Sequence, residues 1–431
     1  MNVYLYGGGL RAFVTSVCLA KIGHTVYFYE PNHNVSDLIA DYQFEFSLIE
    51  LFNYYLEQQQ IHLIEELRSL DDSNAVHWLF FDEQFDPSFN SLAKDIINLS
   101  PRSHHHFILS SLAAIGTTDS FHQTVIEQSP LARVSTFCFP FIKVREGQSI
   151  HDFLHRDLLV VGCAESAKLP STVKTLLEPI IQAAKTIFVT RNATAELARS
   201  TINGMLATRL SFMNEIAAIA EQRQVDIKEI TQIISSDDRV GAQYLTAGCG
   251  FGGKTLPAEL ENLKANFDIG SEGATLISSV QCINESQKEV LFQKFWRYYN
   301  TDVYGKTVAI WGGAYKSGTG RTHNSPIHAI LKAFWSQGIK TTVFDSQATQ
   351  SLIELYASEP LFTAVSCPYD CLDQADALVI TGWNSAEVPD FNQIKANLKK
   401  PVIFDGRNLF NSSEMQSLGI EYFGIGHGLT I

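Results

Sequence analysis

The chain has 431 residues, of which 45% are hydrophobic and 18% are charged, so it is long enough for two or three folded domains and too apolar for a disordered protein. Its formal net charge of -14 argues against a nucleic acid or an anionic membrane surface as a partner. Seven scattered cysteines, no basic leader and no apolar stretch of membrane-spanning length together predict a cytoplasmic protein with reduced thiols.

The first thirty residues predict a strand, a helix and a second strand in that order. Residues 2–6 and 25–29 are β-prone, and a helix is expected over residues 12–22. A strand–helix–strand unit of this length brings its two strands together in parallel. The alternation continues irregularly to about residue 165, and residues 158–162 are predicted to be the last strand of this block.

A glycine-rich segment, GGGLRA at positions 7–12, joins the first strand to the first helix. It fits the pattern G-x-G-x-x-[G/A], in which Gly7 makes a tight turn, Gly9 allows the close approach of a pyrophosphate, and Ala12 lets the helix pack on the strand. Glu30 ends the second strand and is placed to accept a hydrogen bond from a ribose 2′-hydroxyl, which favours NAD over NADP. A glycine turn that binds nothing is the alternative.

Two clusters suggest a metal site, and neither has suitable spacing. Three consecutive histidines at 104–106 cannot all converge on one ion without distortion, so they are expected to form a polar loop. Cys367 and Cys371 have no second pair of ligands, so zinc is not expected either. The sequence therefore predicts no metal.

The middle of the chain is predicted to be helical. Residues 193–222 contain no proline and show apolar residues at mostly helical intervals, which indicates one long helix. Helices are also expected over residues 226–235 and 274–296. A long, largely apolar helix is a good candidate for a domain connector and a subunit interface.

Strands and helices alternate again from about residue 305. Strands are predicted over residues 307–311, 341–345, 377–380 and 402–404, and a helix follows Pro326. The predicted fold class is therefore α/β, with two doubly wound Rossmann-like domains joined by a helical central domain that contains the long helix.

Five short blocks of sequence point to one protein family. They are ELARSTINGMLATRLSFMNE at 196–215, DRVG at 238–241 with GFGG at 250–253, Tyr315-Lys316 with Thr319 and Ser325-Pro326, FDGRN at 404–408, and GIG at 424–426. In this order they resemble the UDP-glucose/GDP-mannose dehydrogenases, which oxidise a sugar-nucleotide alcohol to a carboxylate with two NAD.

The resemblance implies domains, ligands and an assembly. Residues 1–165 would form the dinucleotide-binding domain, residues 166–295 the central helical dimerisation domain, and residues 296–431 the domain that binds the UDP part of a nucleotide sugar. It also implies NAD as cofactor, a nucleotide sugar as substrate or ligand, and a homodimer formed through the long helix.

The residues that bind the nucleotide sugar in this family have counterparts here. Arg239 matches an arginine that reaches the substrate of the neighbouring subunit, Lys316 matches a lysine of the UDP pocket, and Arg407 lies in a retained motif. Phe251 and Gly252 belong to the loop over the nucleotide sugar. For each basic residue, an ordinary surface ion pair is the alternative.

The catalytic positions of the family differ in this chain. The nucleophilic cysteine falls on Thr255, whose hydroxyl is far less nucleophilic than a thiolate near neutral pH. The acid that assists hydrolysis is Glu259 in place of an aspartate. The lysine of the long helix is Arg199, which stabilises an alkoxide but does not exchange a proton, and its partner Asn203 is kept.

Two further positions extend this pattern of departures. The family's catalytic threonine falls on Leu112, and the first of two glutamates in another motif falls on Ile142, while the second is kept as Glu146 on the cofactor side. These substitutions together predict a chain without the standard cysteine-dependent two-step oxidation.

Three functions follow from the residues that are kept and lost. The first is NAD-dependent oxidation of a nucleotide sugar, possible in one hydride transfer, and the second is binding of a nucleotide or nucleotide sugar without turnover, as a regulatory or assembly partner. The third is full oxidation with another nucleophile.

Two neighbours of Thr255 have two interpretations each. Cys249, the nearest thiol in the sequence, is either a replacement nucleophile or a small buried residue. Lys254 is either a cation that assists Thr255 or a surface lysine.

Overall fold

The structure is a computed structural model, and the chain divides into two units, residues 1–202 and residues 203–431. Leu112 and the domain boundary expected between residues 165 and 166 lie outside the described residues. The residues described are 1–31, 34–67, 74–81, 86–111, 114–164, 168–267, 275–384 and 387–427.

The described part of the first unit is an α/β arrangement that leads into a long helix. Its elements are β1 (Asn2–Tyr6), α1 (Leu10–Lys21), β2 (Thr25–Tyr29), α2 (Val35–Ala40), α3 (Leu48–Glu57), β3 (Ile61–Ile64), β4 (Asn74–Phe81), α4 (Ser88–Leu99), β5 (His104–Ser111), α5 (Thr117–Gln128), β6 (Arg133–Cys138), α6 (Ser149–Leu154), β7 (Leu158–Cys163), α7 (Ser171–Ala183), β8 (Thr186–Arg191) and the start of α8 (Asn192–Arg223).

The eight strands form one sheet in the order β3-β2-β1-β4-β5-β6-β7-β8. All pairs are parallel except β6 with β7, which is antiparallel. The strand order reverses between β1 and β4, and ligands of doubly wound sheets bind in the crevice beyond the carboxyl ends of the strands at this point. The glycine segment that follows β1 lies at that position.

The second unit is organised around a second sheet. Its elements are the rest of α8, α9 (Ile227–Ser235), α10 (Thr255–Ala265), α11 (Leu276–Gln287), α12 (Val290–Tyr298), β9 (Thr307–Trp311), α13 (Pro326–Ser336), β10 (Lys340–Phe344), α14 (Thr349–Tyr356), β11 (Phe362–Ala364), β12 (Ala377–Ile380), α15 (Phe391–Asn397), β13 (Val402–Asp405), α16 (Ser412–Ser417) and β14 (Glu421–Phe423). The six strands within its described residues are parallel in the order β11-β10-β9-β12-β13-β14. The predicted fold class, two Rossmann-like sheets with a helical centre, is confirmed.

Two predicted boundaries are wrong. The first sheet continues past β7 into β8, so residues 158–162 are not its last strand. The helix predicted over residues 274–296 is two helices, α11 and α12, and the chain turns at Lys288 and Glu289 between them. No glycine or proline marks this turn. It coincides with the burial of Lys288, whose ammonium lies 2.7 Å from Glu285.

The histidines at 104–106 do not form the predicted polar loop, because they begin β5 in the interior of the sheet. The ring of His105 is buried and bridges two partners. Its Nε2 lies 3.0 Å from the Ser100 carbonyl oxygen and its Nδ1 lies 3.1 Å from Nε2 of His77, whose Nδ1 is 3.0 Å from the Tyr6 hydroxyl. A carbonyl only accepts, so His105 Nε2 must donate. It follows that His77 donates to His105 and Tyr6 donates to His77, with both imidazoles neutral.

These buried histidines are expected to make the protein sensitive to acid. Burial lowers the pKa of His77, His105 and His106, the last to about 4. The unfolded chain takes up protons near pH 6.5 that the folded chain excludes, so the free energy of unfolding should fall as the pH decreases from about 6.5 towards 4. Above that window these rings are neutral in both states and should no longer contribute to the pH dependence.

Urea unfolding at about pH 7.5 and about pH 5 measures this dependence. His106→Phe should reduce the difference between the two conditions, because it removes a buried titrating ring. His155→Phe changes an exposed ring on the same unit and should leave the difference unchanged. Equal pH dependence in His106→Phe and the unmodified protein would contradict the explanation.

Candidate active site

The glycine segment after β1 forms a tight cradle in the first unit. Gly7 has φ +93°, and a Cβ at this position would lie 2.3 Å from the Phe80 carbonyl oxygen, so only glycine fits. Gly9 has φ +96° and directly precedes α1, so the N-terminus of this helix adjoins the glycine segment. Ala12 is fully buried against the sheet. The backbone therefore has the close approach and the helix N-terminus that a pyrophosphate requires, and these residues fit a dinucleotide.

An acid ends the second strand in both sheets, and the two acids differ in their environment. In the first unit, an oxygen of Glu30 lies 3.2 Å from the position of a Cβ on Gly8, so the carboxylate lies beside the glycine cradle. In the second unit, Asp345 accepts four backbone amides. The donors are Gly313 at 2.7 Å, Ala314 at 3.1 Å, and Gln347 and Ala348 at 2.8 Å each. Asp345 thus closes its own glycine loop, and the role of Glu30 at a ribose stays a prediction.

Glu146 lies on the loop that follows β6, at the same carboxyl edge of the sheet as the glycine segment and Glu30. Its side chain is half-buried. Ile142, where the resemblance places the first glutamate, is also half-buried and packs against Cys138 and Val160. An apolar side chain there is part of the packing of this loop.

The start of α8 carries the two predicted catalytic residues of the long helix. Arg199 is 3% exposed and Asn203 is 8% exposed, and they lie one turn apart on one face. One turn earlier, Glu196 accepts from the amides of Gly116 and Thr118 at 2.6 and 2.9 Å, and its pKa is raised by burial against the effect of these hydrogen bonds. This glutamate fixes the helix that bears Arg199 to the start of α5.

The other predicted catalytic residues lie on α10 in the second unit. Thr255 is the first residue of this helix and is half-buried, and Glu259 follows one turn later with only 1% exposure. Lys254, before the helix, is exposed. An oxygen or sulfur nucleophile at Thr255 would thus lie at a helix N-terminus, where the helix dipole stabilises negative charge.

A cavity of about 250 Å³ in the second unit brings together four predicted ligand-binding residues, Phe251, Gly252, Lys316 and Arg407. The residues that line it without having been predicted are Leu210, Asn214, Thr246, Ala247, Gly248, Gly250, Leu256 and Tyr315. Half of them, Leu210, Asn214, Gly250 and Tyr315, belong to the sequence blocks already singled out. The blocks thus indicated the region, while the individual side chains needed the structure. Two cations above a glycine loop suit a diphosphate.

Backbone contacts hold the glycine loop of this cavity in place. The Asn284 side chain accepts from the Phe251 amide at 2.8 Å and donates to its carbonyl at 3.1 Å. A Cβ on Gly252 would lie 2.5 Å from the Asn324 carbonyl oxygen and 2.9 Å from Cβ of Tyr315. Glycine is therefore required at this position, and the loop is held by contacts within the protein.

The basic residues differ in how they are held. Arg407 donates to the carbonyls of Thr381 at 2.6 Å and Tyr315 at 3.3 Å, so its guanidinium is fixed at the cavity. Arg239 is largely exposed and pairs with Asp237 at 2.7 Å. It does not line the cavity of its own chain, and its predicted role requires a second subunit.

The thiol nearest Thr255 in sequence is not exposed for chemistry. Cys249 is fully buried, and burial raises its pKa, so it lacks the thiolate character of a nucleophile.

All seven cysteines are free thiols. Within the described ranges, no group of three or more His, Cys, Asp and Glu side chains could hold a metal ion. No described helix combines the length and apolar character needed to cross a bilayer.

Comparison with known proteins gives two matching family profiles. The UDP-glucose/GDP-mannose dehydrogenase family, central domain, matches residues 193–286, and the UDP binding domain of the same family matches residues 309–412. The chain therefore contains two domains of the UDP-glucose/GDP-mannose dehydrogenase family. The expected resemblance is confirmed, and NAD is the cofactor of the UDP-glucose dehydrogenases in it.

Individual relatives agree with this assignment. The chain is 31% identical over 292 residues to a UDP-glucose 6-dehydrogenase of Pseudomonas aeruginosa, covering 66% of this chain and 63% of that protein. It is 25% identical over 441 residues to the UDP-glucose 6-dehydrogenase of Rhizobium meliloti, covering 99% of each. A UDP-glucose dehydrogenase structure from Pyrobaculum islandicum has the same fold, with a TM-score of 0.81 and 20% identity over 99% of this chain and 98% of that one.

Proposed function

We propose that this protein is an NAD-dependent oxidoreductase that oxidises an alcohol of a nucleotide sugar by a single hydride transfer. The observation that carries the proposal is the cavity of the second unit, which Lys316 and Arg407 line together with the glycine loop. The glycine cradle with Glu30 supports NAD binding in the first unit. The bound nicotinamide would supply the hydride acceptor.

The side chains of this chain would handle the charge and the proton of the alcohol. Arg199 is buried and permanently cationic, so it would stabilise the alkoxide, and Asn203 on the same helix face would donate a hydrogen bond. The proton would pass through a water to the buried carboxylate of Glu259. Thr255, in place of a thiol, would not capture the resulting carbonyl compound, so the oxidation would end after one step.

The test is the stoichiometry of NADH formation. The purified protein is incubated with NAD and a panel of UDP-, GDP- and TDP-sugars, and NADH is followed by absorbance. One NADH per sugar is the expected result. Two NADH per sugar would revive full oxidation with another nucleophile and would overturn the proposal.

A second candidate function is binding of a nucleotide or nucleotide sugar without turnover, as a regulatory or assembly partner. It is favoured by the contrast between the retained cavity and the replaced nucleophile. No NADH with any sugar, together with a ligand-induced rise in melting temperature, would support this function instead. The seven free thiols are consistent with either function in the cytoplasm, the location that we propose.

We also propose that the chain forms a homodimer through α8. Met205, Phe212 and Ile219 recur every seven residues on this helix and are 59%, 52% and 54% exposed. Large apolar side chains at this spacing form a stripe along one face of a helix, which is typical of a helix–helix interface. A dimer would also give the exposed Arg239 a neighbouring subunit to reach.

Phe212→Lys is expected to convert the dimer to a monomer, because it places a charge in the middle of the stripe. Light scattering after gel filtration measures the mass directly. Phe46→Lys is the matched control, since Phe46 is exposed in a turn outside α8. A monomeric unmodified protein, or a Phe212→Lys variant that remains dimeric, would refute this interface.

A further inference from the structure

Two buried carboxylates bind the backbone on either side of Glu146. Glu45 is 3% exposed and Asp152 is 4% exposed, so both are almost completely removed from water. Residues 139–147 have no helix or strand of their own. The conformation of this loop therefore depends on contacts with the rest of the unit.

Glu45 fixes the residues that follow Glu146. One of its oxygens accepts from the Gly147 amide at 2.7 Å and the other accepts from the Ser149 amide at 3.2 Å. Glu45 comes from the turn before α3, a distant part of the sequence. Gly147 has φ +87°, so the chain turns sharply after Glu146 at the point where the carboxylate binds.

Asp152 fixes the residue that precedes Glu146. It accepts from the backbone amide of Arg145 at 2.9 Å, and from Nε and Nη2 of the same arginine at 2.9 and 2.7 Å. Burial alone would raise the pKa of Asp152, but the hydrogen bonds from Arg145 outweigh it and the pKa is lowered. The carboxylate therefore stays ionised near neutral pH and keeps its hydrogen bonds to Arg145 of the loop.

The loop lies at the edge of the sheet where the cofactor is expected. It follows β6, which runs parallel to β5, and the carboxyl ends of β1 and β2 at the same edge carry the glycine cradle and Glu30. A loop without regular structure would sample several conformations unless it were anchored. Fixing the loop in one of these conformations costs entropy, which would weaken the binding of a ligand that needs that conformation.

We propose that Glu45 and Asp152 are positioning residues that hold Glu146 towards the NAD site. This inference rests on the proposed function, because it takes NAD as the ligand of the first unit. Neither carboxylate is assigned to the cofactor itself. Each acts through the backbone of the residues next to Glu146.

Glu45→Gln tests the inference, because it replaces one accepting oxygen by an amide NH2 that cannot accept from Gly147 or Ser149. We expect the dissociation constant of NAD, measured by calorimetric titration, to rise about tenfold, as for the loss of one charge-assisted hydrogen bond. The affinity for the nucleotide sugar, which binds in the second unit, should not change. Glu50→Gln is the matched control, since Glu50 is exposed on α3 of the same segment.

A merely structural role gives a different result. In that case Glu45→Gln would lower the melting temperature, but the folded variant at about 20 °C would bind NAD as tightly as the unmodified protein. This result would contradict the inference. If Glu45→Gln does not fold, Glu45→Asp and Asp152→Asn are measured in the same way with the same expected loss. An unmodified protein that binds no NAD would refute the proposed function itself, whereas normal binding in the protein and in all variants would refute only this inference.

Discussion

Thr255→Cys is expected to turn a single oxidation into a double one, with two NADH formed per sugar instead of one. Residue 255 is the first of α10, so a thiol there would lie at a helix N-terminus, which lowers its pKa and favours the thiolate. A thiolate can add to the carbonyl compound, and hydride transfer from the adduct then gives a thioester that water hydrolyses to the acid. The final product should change from a carbonyl compound to a carboxylate.

The matched control is Thr255→Ser, which keeps an oxygen nucleophile and should still give one NADH per sugar. The new thiol can be counted with a disulfide reagent under native conditions as the increase over the unmodified protein, in which Cys282 is exposed and Cys249 is buried. If Thr255→Cys gains a reactive thiol and still forms one NADH per sugar, the prediction fails. The cause would then lie in the other replaced positions, Arg199 above all.

Gly7→Ala is expected to abolish NAD binding and to destabilise the first unit by about 3 kcal/mol or more. The new methyl group would lie 2.3 Å from the Phe80 carbonyl oxygen, and φ is +93°. Both the strand end and the cradle for the pyrophosphate would have to shift. Urea unfolding and calorimetric titration with NAD measure the two effects.

Gly23→Ala separates the two causes. Gly23 has the same φ of +93°, but nothing lies within 4 Å of a Cβ added there. This variant should lose only about 1 kcal/mol in the free energy of unfolding, the cost of alanine at a positive φ, and should bind NAD normally. Equal destabilisation by both variants would mean that the close contact at Phe80 does not contribute, and the account of the cradle would be wrong.

Much of the fold could be predicted because its signals are local. β1 and β2 have the predicted bounds, and the long helix spans Asn192–Arg223 against a prediction of 193–222. In each case the prediction depends on residues that are close in the sequence: a short run of β-prone residues for a strand, or a long run without proline for the helix. The glycine cradle belongs to the same class, since a turn, a helix start and a small residue are all specified within six positions.

The wrong predictions concern places where distant groups decide. The histidines at 104–106 have the composition of a loop, yet His105 enters the sheet because Ser100 and His77 satisfy both of its ring nitrogens. The turn between α11 and α12 contains no glycine or proline, so the local sequence does not indicate that the helix ends there. Local pattern predicts whether a polar residue prefers water, but not whether the fold supplies it with partners.

The candidate site divides in the same way. The sequence by itself determined which residue types stand at the motif positions, including Thr255 where a thiol is expected and Glu30 at the end of the second strand. Only the tertiary structure decided that Asp345, the matching acid of the second sheet, is saturated by backbone amides and that Glu45 meets the loop of Glu146. The physical reason is that motif chemistry depends on neighbours along the chain, whereas the burial and hydrogen bonding of a carboxylate depend on segments that meet only after folding.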